Sequence, residues 1–162
     1  MAKMGKILAV IMILSAFIVL PAAAQSERDK YDLHSMYLNI LRENGYEAEV
    51  DLTDNRKDIM FYCKYGDRYF IIIDENDLEF FQIYTGFYMT TITREQAIIM
   101  ANEANRVSKV VKVTVSAPGS ERIIISITAE LLLEDPEDFI NILTRALSLM
   151  RNADNNFKKQ LN

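Results

Sequence analysis

The sequence predicts an α+β fold: an antiparallel sheet of about six strands with three helices, in the order α-β-β-β-β-α-β-β-α. Three observations point there. Apolar residues recur at helical spacing in three separated stretches, they alternate with period two in the segments between, and turn residues bound nearly every strand.

Residues 1–24 stand outside that pattern. "MAKMGKILAVIMILSAFIVLPAAAQSERD" has a basic start at Lys3 and Lys6, an apolar run from Ile7 to Leu20 broken only by Ser15, and a small-x-small site at Ala22-Ala23-Ala24. This is the layout of a secretory signal peptide cut between Ala24 and Gln25. A retained anchor is the poorer reading, because the helical run reaches only about 21 Å against a hydrocarbon core of roughly 30 Å. No Cys follows the run to take a lipid. The expected product is a single domain, 25–162, periplasmic or secreted, touching the membrane only in transit.

The first helix is "DKYDLHSMYLNILRENG", where Leu33, Met36, Tyr37, Ile40 and Leu41 share a face and Gly45 supplies a left-handed stop. In "YEAEVDL", Tyr46, Ala48, Val50 and Leu52 alternate with acids, which makes a half-buried strand. "DIMFYCKY" and "RYFIIID" follow as the second and third strands. Gly66-Asp67 between them reads as a two-residue type II′ hairpin turn. "LEFFQIY" is the fourth strand. "TITREQAIIMANEANRV" opens with a capping box, Thr93 with Gln96, and carries a small-residue stripe of Ala97, Ala101, Ala104 and Val107.

"KVVKVTVS" and "RIIISITAELLLE" complete the sheet. Their apolar sets share a face when paired positions sum to an even number, as Val115 with Ile123 does, around a loop of three or five residues. The last helix, "DPEDFINILTRALSLM", starts with Asp135 as N-cap and Pro136 at the first helical position. Its core stripe is Phe139, Ile142, Leu143, Ala146 and Leu149 or Met150. From Asn152 a polar tail follows, pinned by Phe157 and Leu161.

Composition narrows the chemistry. The formal net charge is −5, and losing Lys3 and Lys6 makes it more acidic still, with no concentrated Lys/Arg patch. Nucleic acid is therefore not an expected partner. Cys63 and His34 are the only residues of their kinds, so no disulfide or zinc cluster can be assembled within the chain. Cys63 alternates with Ile59 and Phe61, as a small core hydrophobe would. Glu134, Asp135, Glu137 and Asp138 sit where a helix dipole favours acids. No cofactor is expected, since five isolated glycines cannot build a phosphate loop.

The acidic stretch Asp74-Glu75-Asn76-Asp77-Leu78-Glu79 departs from a calcium loop, with Leu78 at the third ligand position and Glu79 where Gly belongs. The expectation is a solvated hairpin tip in which Ile73 pairs with Leu78. On these registers the second to fourth strands are apolar on both faces. Met60, Tyr62, Tyr69, Ile71, Ile73 and Phe80 become the candidate interaction surface. Either a helix covers that second face or another chain does.

"NGY", "DIMFYCKYGDRYFIIID", "ANEANRVSKVVKV" and "EDFINILTRAL" together resemble the YbjN family, whose domain is similar to the type III secretion chaperone fold. The likeness runs from about Tyr31 to Phe157. It implies an α+β sandwich that often self-associates, with no catalytic residues to carry over. Many relatives are cytoplasmic, so the export signal here departs from the family. The expected function is an exported, non-enzymatic, chaperone-like domain that binds a protein or peptide client, with self-association as a homodimer. The alternative is a small-ligand-binding envelope protein using a Tyr- and Phe-lined groove between helix and sheet. A carboxylate-based hydrolase ranks below both.

Overall fold

A computed structural model describes residues 22–53, 58–64, 66–116 and 122–161, with residues 22–30 described by backbone alone. It shows the expected α+β architecture. The elements are α1 (Ala22–Glu43), β1 (Glu47–Val50), β2 (Ile59–Tyr62), β3 (Arg68–Ile73), β4 (Phe80–Met89), α2 (Arg94–Val107), β5 (Val111–Ser116), β6 (Ile123–Leu132) and α3 (Phe139–Lys158). Short 3-10 turns, Pro136–Asp138 and Lys159–Leu161, flank α3. The six strands form one antiparallel sheet in the order β1-β2-β3-β4-β6-β5.

The helices end and begin largely where their residue types require. At the end of α1, Gly45 takes φ +81° while the Tyr46 amide donates to the Leu41 carbonyl, which is the Schellman arrangement. Helix α2 has the complete capping box: Gln96 N–H donates to Thr93 Oγ1 at 3.2 Å, and Thr93 N–H donates to Gln96 Oε1 at 2.8 Å. Ala97, Met100, Ala101 and Ala104 are buried, which lets α2 lie close on β5 and α3, whereas Val107 is exposed. Asp135 caps the 3-10 turn rather than α3 itself, its Oδ1 accepting from Glu137 N–H at 2.9 Å.

Three sequence expectations need correction here. Helix α1 starts at Ala22, not near Asp29, so the expected Ala24–Gln25 cleavage would remove its first three residues; residues 1–21 lie outside the described ones. The supposed tail beyond Asn152 is the last part of α3, and buried Ala153 and Phe157 continue the stripe of Phe139, Leu143, Ala146 and Met150. Strand β4 runs on to Met89 because β6 pairs with all ten of its residues.

The three helices of the described residues pack on one side of the sheet. Tyr37 of α1 stacks on Phe139 of α3 with ring centroids 4.1 Å apart, and its ring meets Phe81 of β4 at 6.1 Å. Phe157 of α3 meets Phe87 of β4 edge-on. Ile59, Phe61, Ile71, Phe81, Ile83, Ile125 and Ile127 supply the sheet's share of this core, and each is almost wholly buried. On the remaining side of the sheet, no helix among the described residues covers the strands.

Candidate functional site: the uncovered sheet face

The composition of the uncovered face follows from register. Across β2 to β5, Met60, Phe70, Tyr84, Thr128 and Lys112 form one row. Tyr62 pairs with Arg68 in the row on one side, and Ile72 with Gln82 in the row on the other. The apolar part is therefore concentrated on β2 to β4. The β5–β6 part is polar, and there Lys112 Nζ pairs with Glu130 Oε2 at 2.8 Å. On β1, Glu47 and Glu49 lie opposite Tyr62 and Met60, which places two acids at the rim. Beyond the centre, Tyr88 and Leu132 are about two-thirds exposed.

The centre of this face is ordered by ring contacts. Phe70 and Tyr84 stack with centroids 4.8 Å apart and planes 13° from parallel. The Arg68 guanidinium lies 5.2 Å from the Phe70 centroid, at cation–π range. Tyr84 Oη donates to Asp58 Oδ2 at 3.3 Å, tying the stack to the start of β2. Met60, Tyr62, Phe70, Ile72, Phe80 and Tyr84 are all half-buried, and among the described residues they shield one another with no second layer above them.

Of the six residues expected on this surface, Met60, Tyr62 and Phe80 are there and Tyr69, Ile71 and Ile73 are not. Those three point into the core, with Ile71 wholly buried. The cause is a three-residue shift in each hairpin. At the first, the pairs are Ile59↔Ile71 and Phe61↔Tyr69. Gly66 N–H donates to the Cys63 carbonyl and Cys63 N–H to the Asp67 carbonyl, with Gly66 at φ +83°. That is a three-residue loop with glycine in the left-handed position, not a two-residue type II′ turn. At the second, Ile73 pairs with Phe81 rather than Leu78. An odd shift turns a strand over. Two odd shifts turn over β3 alone, so Phe70 and Ile72 take the outer places assigned to Ile71 and Ile73. The legible signal was Lys64-Tyr65-Gly66, a loop with glycine third; Tyr65 itself lies outside the described residues.

The acidic stretch is the tip of the second hairpin. Asp74 Oδ1 accepts from Asn76 N–H at 2.8 Å and Asp77 Oδ1 from Glu79 N–H at 3.2 Å, two successive Asx turns. Glu75, Asn76, Asp77 and Glu79 are exposed. Among the described residues, no group of three His, Cys, Asp or Glu is placed to hold a metal ion.

On the helical side, the open end between α3 and the β2–β3 hairpin holds two clefts. One, of about 320 Å³, is lined by Tyr69, Thr85, Phe87, Arg151, Asp154 and Lys158 among others. The other, of about 440 Å³, is lined by Tyr46, Cys63, Leu147 and Arg151. Cys63 is half-buried at the end of β2. Burial pushes its thiol pKa up, Asp67 adds to the rise, and Arg151 opposes it. A thiol held protonated is a poor nucleophile. His34 lies half-buried on α1, and the acids around Asp135 serve the turn before α3. No helix of the described residues is long and apolar enough to cross a membrane.

Comparison with known proteins supports the fold. No protein-family profile matches the chain, and no curated protein matches its sequence. Among solved structures the chain is similar to YbjN from E. coli, described as a proposed transcription regulator. The identity is 11% and the TM-score 0.54, over 71% of this chain and 84% of that one. It is also similar to an uncharacterised protein from Methanothermobacter thermautotrophicus, at 12% identity and a TM-score of 0.56, over 80% of this chain and 99% of that one. At such identities the likeness is one of fold, and function has to be argued from the site.

Proposed function

We propose that this chain is an exported, non-enzymatic, protein-binding domain whose client packs on the outer face of β2 to β4. The observation that carries the reading is the half-buried row of Met60, Phe70 and Tyr84 with Ile72 and Tyr62 beside it, which no helix among the described residues covers. A contiguous apolar patch of that kind, rimmed by polar residues, marks an interaction surface. Its aromatic residues, with Arg68 stacked on Phe70, are of the types that dominate binding energetics at protein interfaces. The client is an amphipathic segment of another protein, its apolar stripe laid on this row. Basic residues flanking that stripe suit Glu47 and Glu49 at the rim and the chain's acidic balance. Export rests on the basic, apolar and Ala-x-Ala series at the N-terminus.

The test is site-specific photo-crosslinking in the envelope. A crosslinking residue at Phe70 or Ile72 should trap one protein species, and the same residue at exposed Asn102 on α2 should not. Ile72→Asp should abolish the trapped species while circular dichroism shows the domain folded. If the trapped species is a second copy and sedimentation shows a dimer that Ile72→Asp dissociates, the face is a self-association surface and the client reading fails. Equal trapping at Phe70 and Asn102 would remove the support for any interface there.

A further inference from the structure

The helical side carries a further and larger cleft, of about 670 Å³, between the α2–β5 connection and the second half of α3. Client binding on the opposite side of the sheet does not use it. Its apolar lining includes Val107, Val110 and Leu149, which are 54%, 45% and 37% exposed, beside buried Val111. The cleft follows from the residue types along α2. Ala97, Ala101 and Ala104 are buried and let the helix lie close on β5 and α3. Val107 is next on that stripe, and there close packing ends and the cleft opens.

Charge in this cleft runs against that of the chain. The formal net charge is −5, yet among the described lining residues the charged ones are Lys109, Lys158 and Lys159, and no acid stands with them. Lys158 is engaged with Asp154 at 2.7 Å. Lys109 and Lys159 make no ion pair among the described residues, and both are exposed, so a molecule in the cleft can reach them. Cations near the ends of α2 and α3 offset the helix dipoles, which accounts for lysine at these places. It does not account for the exposed valines and leucine beside them.

We infer that this cleft binds an anionic amphiphile with a single alkyl chain, its tail against Val107, Val110 and Leu149 and its carboxylate or phosphate head met by Lys109 and Lys159. Tail burial removes apolar surface of both partners from water, and ammonium with an anionic oxygen gives the stronger kind of hydrogen bond. The volume lies within the range of roughly 300–1,000 Å³ usual for small-molecule sites. A concave site of this kind takes one molecule rather than a flat bilayer surface.

Heteronuclear NMR titration of the folded chain with octanoate and octyl phosphate tests this, with octan-1-ol and octylammonium as controls. At least one of the two anions should bind and shift the amide signals of residues 107–111 and 149–159, and the tighter of the two identifies the head. Both controls should bind at least about tenfold more weakly. From hexanoate to octanoate to decanoate, each added pair of methylenes should tighten binding by at least about threefold, since a buried tail gains with length. Replacing both exposed lysines, Lys109→Gln with Lys159→Gln, should weaken the anion and leave octan-1-ol unchanged. Leu149→Ser should flatten the dependence on chain length. Should a variant fail to fold, the comparison of heads and tails on the natural chain decides alone. Failure of both anions to bind, equal binding of octylammonium, or affinity indifferent to chain length overturns the inference. So does loss of binding in Ile72→Asp, which would place the tail on the outer sheet face instead.

Discussion

Tyr37 and Tyr69 are buried to within a few per cent, at 1% and 5% exposure, and burial pushes both phenols from 10.0 up to about 12. Desolvation disfavours the phenolate, so the fold holds these groups neutral. Below pH 10 both the folded and unfolded chains keep them protonated, and stability does not depend on them. Above pH 10 the unfolded chain ionises first, so stability falls as pH rises towards about 12. Ultraviolet titration should therefore show Tyr37 and Tyr69 ionising late, together with loss of helical circular dichroism. Tyr37→Phe and Tyr69→Phe should each shallow the alkaline slope. Ionisation of Tyr37 and Tyr69 near pH 10 in a protein that is still folded would contradict the burial.

At the scale of elements, β3 is the decisive strand. Its neighbours Ile71 and Ile72 are chemically identical and adjacent in sequence, yet one is wholly buried beneath the helices and the other half-open on the outer face. Ile71→Asp should unfold the domain or cost several kcal/mol, roughly, because an unpaired carboxylate cannot be buried cheaply. Ile72→Asp should cost about 1 kcal/mol or less, as substitutions outside a closed core usually do. Chemical denaturation of the pair reads the difference directly, and similar losses for both would mean that β3 is turned the other way. The alternation "RYFIII" carries no label for inside and outside, since Tyr69, Ile71 and Ile73 are as apolar as Phe70 and Ile72. Only the loop lengths decide. The glycine-third loop and the two Asx turns each add to the simplest hairpin, and their register steps are odd.

For the molecule as a whole, the three helices of the described residues lie on one side and leave the sheet with unequal faces, and the export proposed above would place the open face outside the cytoplasm. Intact-mass analysis of the protein from the envelope should show Gln25 at the N-terminus, cyclised or not. A full-length species retained in the membrane would remove the export part of the proposal. Cleavage should leave the sheet untouched, because α1 makes its core contacts through Tyr37 and Leu41, far beyond the junction.

The element order, the capping box of α2, the glycine stop of α1 and most of the apolar stripe of α3 were legible from residue types, because each depends on interactions within a few positions of chain. Parity in the β5–β6 hairpin was legible for the same reason. Val115 pairs with Ile125 rather than Ile123, a step of two that keeps every side chain on its face, although the connection exceeds five residues. Half of the candidate surface was legible too, on β2 and β4, where the odd shifts cancel. What the sequence left open was long-range. Which side of β3 faces the helices, whether any helix crosses to the second face, and the meeting of Tyr69 with Arg151 and Asp154 all depend on contacts between segments distant in sequence. Apolar residues on both faces of a strand satisfy burial equally well either way up, so composition could not choose. The loops set β3 one way up, and the packing of the three described helices on the same side left Phe70, Ile72 and Tyr84 on the face that none of them covers.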